Sequence, residues 1–190
     1  KTTTYYSVYT DNNNVTFKAT KSQLYEFTLV NGDNTNAMKI SIQPITDGNA
    51  LATYVPAKNV IKAPSETETE GFSSISSPVD VTVTVPTDGK VYYVSAWTSS
   101  SATFTALQPN ESGAIELKAG EGYILKGPKD AEFSYALATD GKYSAANGNK
   151  LKGRVHRTYY KDEKTIFVLK TNGNFGVNAG NAIYAAGKAY

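Results

Sequence analysis

The residues of this chain best able to do chemistry are one histidine, two arginines and one tryptophan. The histidine, His156, sits in Lys150-Leu-Lys-Gly-Arg-Val-His-Arg between Arg154 and Arg157. As a general base it would need a serine to activate and an acid to orient it. No Gly-x-Ser-x-Gly elbow is present, and the two arginines disfavour an imidazolium between them. A plain surface histidine is the simpler reading. With no cysteine and no second histidine, a zinc site cannot be completed. Glycoside cleavage needs two carboxylates set across a cleft, and no spacing singles out such a pair. The chain is therefore expected to be non-catalytic, with no cofactor and no metal.

The same stretch reads better as a binding surface. On a strand, Lys150, Lys152, Arg154 and His156 share one face while Leu151 and Val155 take the other. Arg157 and the pair Tyr159-Tyr160 follow, making a basic stripe beside aromatics that could hold an acidic glycan or another anion. The plainer alternative is a solvated strand face. Tyrosine pairs also occur at Tyr5-Tyr6 and Tyr92-Tyr93, and a strand turns one member of each pair inward and the other out. An outward Tyr92 or Tyr93, Tyr159 or Tyr160, could stack on the C–H face of a sugar. Trp97 has the largest aromatic face and precedes a Ser99-Ser-Ser run, although a sole tryptophan in a β-protein is commonly a core anchor.

Asp11-Asn-Asn-Asn and Asn31-Gly-Asp-Asn-Thr-Asn offer oxygens to Ca²⁺ but lack the downstream bidentate glutamate of an EF-hand, so turns account for both. The sequons Asn14-Val-Thr and Asn110-Glu-Ser are taken as chance.

The elements that would position these residues are strands. In 190 residues, only 19% are charged and 14 are tyrosine, while Thr, Ser, Asn and Gly are abundant. Thr, Tyr and Val suit a pleated, half-buried surface and Asn, Gly and Asp suit turns. Val79-Asp-Val-Thr-Val-Thr-Val alternates cleanly, so one face is core and the other wet. Further strands are predicted over 4–9, 15–19, 24–30, 38–42, 50–55, 59–62, 91–97, 102–107, 114–117, 122–126, 132–136, 150–156, 165–170, 174–177 and 182–190. Residues 142–149 are expected to hold one helical turn. Asn31-Gly32 signals a hairpin.

Pro64-Ser-Glu-Thr-Glu-Thr-Glu-Gly would crowd three like charges on one strand face. It is expected to be a solvated linker, with a soft boundary over 64–78 separating an N-terminal β module (1–70) from a C-terminal one (71–190). Three stretches, beginning at Val55, Leu117 and Ile183, share an apolar residue, a spacer and an alanine, and lie 62 and 66 residues apart. That recurrence suggests a reused β unit.

A net charge of +2 does not point to nucleic acid or membrane as a general partner, and no apolar run approaches the roughly 20 residues of a spanning helix. The start at Lys1, without Met or leader, reads as a mature or trimmed chain, and the end at Tyr190 falls inside a strand-like run. Low charge with many hydroxyls and amides suits an exported protein.

From residue 79 onward the order of motifs resembles a known family. Val83-Thr-Val-Pro-Thr-Asp-Gly-Lys-Val-Tyr-Tyr-Val-Ser-Ala is followed by Leu117-Lys-Ala-Gly-Glu-Gly-Tyr-Ile-Leu-Lys-Gly and Asn149-Lys-Leu-Lys-Gly. Ile166-Phe-Val-Leu-Lys, Asn174-Phe-Gly-Val and Ile183-Tyr-Ala-Ala-Gly-Lys-Ala-Tyr close the series. This resembles the β-rich modules at the C-terminal ends of secreted and surface proteins of Bacteroidetes, as carried by surface leucine-rich-repeat and other exported proteins. Lys118 and Tyr184 stand where those modules usually have proline. The resemblance implies a β fold and an extracellular or cell-surface address, and no catalytic residues.

The expectation is an all-β protein, an antiparallel β-sandwich or two β modules in tandem. Its function would be adhesion or ligand binding at a bacterial surface, with a glycan or other surface ligand as partner. A structural spacer without its own ligand is the alternative, and a glycoside hydrolase the third reading.

Overall fold

The computed structural model describes residues 5–8, 25–31, 38–44, 47–138, 141–155, 158–160, 166–178 and 182–190. It is built of antiparallel strands, as the composition led us to expect. The chain divides into two compact units, Lys1–Leu51 and Ala52–Tyr190. The division falls upstream of the 64–78 boundary because the backbone of Ile61 is already bonded into the second unit, through Ala131 and Asp130.

In the first unit, β1 (Tyr5–Val8), β2 (Tyr25–Asn31) and β3 (Met38–Pro44) form one sheet in the order β1-β3-β2. The register of β2 and β3 ends at Asn31 opposite Met38, either side of the Asn31-Gly32 signal. The strand expected over 15–19 and the Asp11 loop lie outside the described residues. The strand expected over 50–55 is instead preceded and replaced by α1 (Gly48–Ala52) and a turn. Asp47 explains the change: its Oδ1 accepts the N–H groups of Asn49 at 2.8 Å and Ala50 at 3.4 Å, an N-cap that starts a helix. No helix among the described residues is long and apolar enough to cross a membrane.

The second unit carries two four-stranded sheets. The first runs β5-β10-β7-β8, from β5 (Glu70–Ile75), β7 (Lys90–Trp97), β8 (Ala102–Ala106) and β10 (Tyr123–Pro128). The second runs β4-β11-β6-β9, from β4 (Asn59–Val60), β6 (Val81–Thr84), β9 (Ile115–Leu117) and β11 (Glu132–Leu137). The alternation at 79–85 does what it promised: Val79, Val81 and Val83 are buried and Thr84 is exposed. Strand β10 is central, so Tyr123, Ile124 and Leu125 are buried on both of its faces. Lys118 stands where proline would be usual, and its N–H donates to the Tyr123 hydroxyl at 3.2 Å. A proline has no such donor.

The C-terminal chain forms nested antiparallel pairs. β12 (Gly153–Arg154) pairs with β17 (Lys188–Ala189), β13 (Thr158–Tyr160) with β16 (Ala182–Tyr184), and β14 (Ile166–Leu169) with β15 (Phe175–Asn178). Only Gly153–Arg154 of the strand expected over 150–156 is a strand, and 142–149 holds no helical turn. The 142–149 segment is drawn out by single bonds: the Ser144 N–H reaches the Glu116 carbonyl at 3.0 Å, and Lys150 N–H reaches Val94 at 2.8 Å.

The motifs behind the resemblance converge where this ribbon joins the first sheet. Ser76 N–H donates to the Gly187 carbonyl at 3.0 Å, and Gly120 N–H to Ser77 at 2.8 Å. Glu121 bridges Lys152, and the backbones of Lys152 and Tyr190 exchange bonds of 2.9 and 3.0 Å. Chains this close leave no space for side chains. A Cβ on Gly153 would overlap Ser76 Oγ and the Gly120 carbonyl, and one on Gly122 would come within 2.5 Å of Ala189 Cβ. Gly153→Ala is therefore expected to destabilise the second unit by about 1–3 kcal/mol, the usual cost of overpacking. A lowered urea midpoint checks it; an unchanged midpoint would mean that the junction gives way at little cost.

Candidate functional site

Trp97 is brought to its place by a bulge. In β7 and β8, Val94 faces Phe104, but Ala96 faces Thr103 and Trp97 faces Ala102, so Ser95 is an extra residue. Its hydroxyl meets Thr105 Oγ1 at 2.7 Å. A regular strand would put Trp97 on the face opposite Val94; the bulge returns it to the face of Tyr92, Val94 and Phe104. There it meets the ribbon. Its ring lies edge-on to Phe167 at 4.7 Å and to Phe175 at 5.2 Å, and Phe175 continues to Phe104 at 6.0 Å.

Trp97 is still 38% exposed. It forms one wall of a cleft of about 630 Å³. The opposite wall is the ribbon tip, Lys170 to Phe175, and Ser99 to Ser101 make the rim. Both rims are stiff. Thr98 N–H bonds Ser101 at 2.8 Å while Thr98 Oγ1 accepts from Ser101 N–H at 3.0 Å. On the ribbon, Lys170 N–H bonds Asn174 at 2.8 Å, and Phe72 N–H bonds Thr171 at 2.9 Å, which fastens the tip to β5. The side chains of Ser99, Lys170 and Asn174 have no hydrogen bond or ion pair among the described residues.

The other expected site residues lie elsewhere. Tyr92 and Tyr93 point to opposite faces as expected, but both are half-buried and neither stands in solvent. Tyr92 packs on Val94 and Ile124 and lies 6.3 Å from Phe104. Tyr93 lines a second cleft of about 560 Å³ with Thr105, Gln108, Asn110 and Tyr143. The polar groups of that cleft are already engaged: Tyr143 donates to Asp80 at 2.8 Å, and Asn110 Oδ1 accepts from Ser112 and Ala114. Lys150 and Lys152 are exposed and Leu151 is buried, as the alternation implied, while Arg154 is half-buried opposite Lys188. Tyr159 and Tyr160 are in β13; the surroundings of their side chains, and His156 and Arg157, lie outside the described residues. The structure therefore does not join the stripe to Trp97 in one cleft. Among the described residues, no group of three His, Cys, Asp or Glu comes together to hold a metal.

Sequence reasoning found Trp97 and missed Phe167, Phe175 and Lys170. The only signal for them was the alternation in Ile166-Phe-Val-Leu-Lys and Asn174-Phe-Gly-Val, which tells that these residues share a face but not what that face meets. No protein-family model, curated protein or solved structure matches the chain.

Titration here concerns stability rather than the cleft. Burial pushes the Tyr123 and Tyr135 phenols well above their ordinary value, and the bond to Asp80 holds Tyr143 up to about 12. Burial lowers Lys188, whose Nζ reaches Ser73 Oγ and the Ser74 carbonyl at 3.4 Å. An unfolded tyrosine ionises near pH 10, so the tyrosine contribution is whole below that pH and is lost as pH rises beyond it. Lys188 acts oppositely, adding stability as pH climbs from its folded value to that of a free lysine. Once pH exceeds about 10.5, the free-lysine value, only the tyrosine loss continues. Urea midpoints should fall steeply there, and less steeply in Tyr135→Phe.

Because Trp97 is the sole tryptophan, its emission reports the cleft alone. Phe175→Ala removes one of its two edge-on partners and is expected to shift that emission to the red and to cost about 1–3 kcal/mol. This is below the 3–5 kcal/mol of a fully buried phenylalanine, since Phe175 is half-buried.

Proposed function

We propose that the chain is a non-catalytic module that binds a glycan at the Trp97 cleft, on an exported or surface protein. The observation that carries this reading is the half-exposed Trp97 ring, fixed by Phe167 and Phe175, beside a rim of hydroxyl, amide and ammonium groups without partners among the described residues. A sugar ring has a C–H face for the indole and hydroxyls for the rim. Sites for small ligands commonly combine an aromatic wall with a few placed polar groups. The described lining supplies one cation and no carboxylate, whereas glycoside cleavage needs a pair of acids. The surface address rests on the low charge and on the resemblance over 79–190.

A glycan array probed with wild type, Trp97→Ala and Lys150→Ala/Lys152→Ala tests the reading. Binding lost in Trp97→Ala and kept in the double variant is expected, with a loss of about tenfold or more for removing an aromatic anchor. Loss only in the double variant would move the site to the basic stripe. Silence of the wild type across the array would leave the structural spacer, and cleavage of a chromogenic glycoside would restore the hydrolase.

A further inference from the structure

We infer that the Trp97 cleft selects sugars bearing a carboxylate, which would bind at Lys170 Nζ; this rests on the glycan-binding reading above. Two lysines belong to the aromatic face of the first sheet and its ribbon, and they differ in one respect. Lys126 is spent: its Nζ lies 2.7 Å from Glu70 Oε2 and 5.8 Å from the centre of the Phe72 ring. Lys170 has no ion pair among the described residues, and it is the one charged side chain among those lining the cleft.

Its position is also prepared. The side chain lies along Gly176, where a Cβ would overlap Lys170 Cε and come within 3.1 Å of Nζ. The aliphatic stem thus rests on backbone while the ammonium stays with the cleft, and less rotamer freedom remains to be lost on binding. Its backbone is held at both ends of the tip, through Lys170 N–H to Asn174 and Gly173 N–H to Lys170 at 3.0 Å. A bare cation beside a flat aromatic suits a ring that presents C–H bonds on one side and an anionic group at its edge. A carboxylate on a pyranose has that form. A neutral sugar would leave the ammonium partnered only by water.

The test is calorimetric titration of the whole chain with an oligogalacturonide and an oligoglucuronide, each beside its methyl ester, which keeps the ring and removes the charge. The acid should bind about tenfold or more tightly than its ester, as a charge-assisted hydrogen bond implies. Lys170→Gln should erase that advantage, Lys170→Arg should restore it, and raised salt should diminish it in the wild type. Far-UV circular dichroism confirms that each variant is folded. If acid and ester bind equally and Trp97→Ala abolishes both, the selectivity is overturned while the glycan site stands. If neutral glycans also fail to bind the wild type, both readings fall. A preference for acid that survives in Lys170→Gln would place the anion elsewhere and overturn the inference alone.

Discussion

The second unit depends on a few places where backbone meets backbone with no side chain between. Ser76-Ser77, Gly120 to Gly122, Leu151 to Gly153 and Gly187 to Tyr190 are far apart in sequence and share one junction of main-chain bonds. A buried N–H or carbonyl without a partner is costly, so segments this tightly packed must satisfy one another. Gly153 admits Ser76 and the Gly120 carbonyl because it lacks a Cβ. The junction is also the root of the ribbon: the chain leaves at Arg154 and returns at Gly187, whose N–H donates back to the Arg154 carbonyl at 2.7 Å. The resembling motifs therefore have an architectural cause, and the cleft inherits it. Phe167, Lys170 and Phe175 reach Trp97 because the ribbon is clamped at its root and tied to β5 at its tip.

Whether Trp97 is core or platform is decided by what it touches. Edge-on aromatic pairs contribute about 0.5–1.5 kcal/mol each beyond area burial, enough to hold the ring in one orientation. A ring 38% exposed nevertheless keeps a sizeable surface for a ligand. It serves both purposes, because the ribbon tip covers it from one side only. The bulge at Ser95 makes this possible. Without it, the same residue would face away from Phe167 and Phe175 and have no support.

Where neighbours along the chain decide the outcome, the sequence was legible. Val79 to Val85, Val91 to Trp97 and Glu132 to Ala136 alternate and became β6, β7 and β11 within a residue or two. Strand β5 was missed. Glu70-Gly-Phe-Ser-Ser-Ile has no apolar alternation, because its small residues are fitted to other backbones: Gly71 abuts the Lys62 carbonyl and Ser74 Oγ accepts the Ala189 N–H at 3.2 Å. Nothing local records such partners. The helix at Gly48–Ala52 was misread as strand because one cap, Asp47, outweighed a short run of apolar residues. For the site, residue type exposed Trp97 alone, since its neighbours arrive from about 70 positions downstream.

The basic stripe shows why charge counted along a sequence misleads about where an anion would bind. Lys152 lies across a bridge from Glu121, an acid that opposes it. Arg154 is half-buried and stands opposite Lys188, which sits among serine oxygens. An exposed charge pair at 4 Å is worth only about 1 kcal/mol in water and is screened beyond about 8 Å at physiological salt. Exposed lysines such as Lys150 and Lys152 therefore offer an anion little that a free ion would not. A cation counts for more where an aromatic wall excludes water from one side of it and its stem is already held. Of the lysines on the aromatic face, Lys126 has that setting but is neutralised by Glu70, and Lys170 has it without an acid. The anion site is thus set by how the ribbon folds back over the sheet, which no count of basic residues along the chain records.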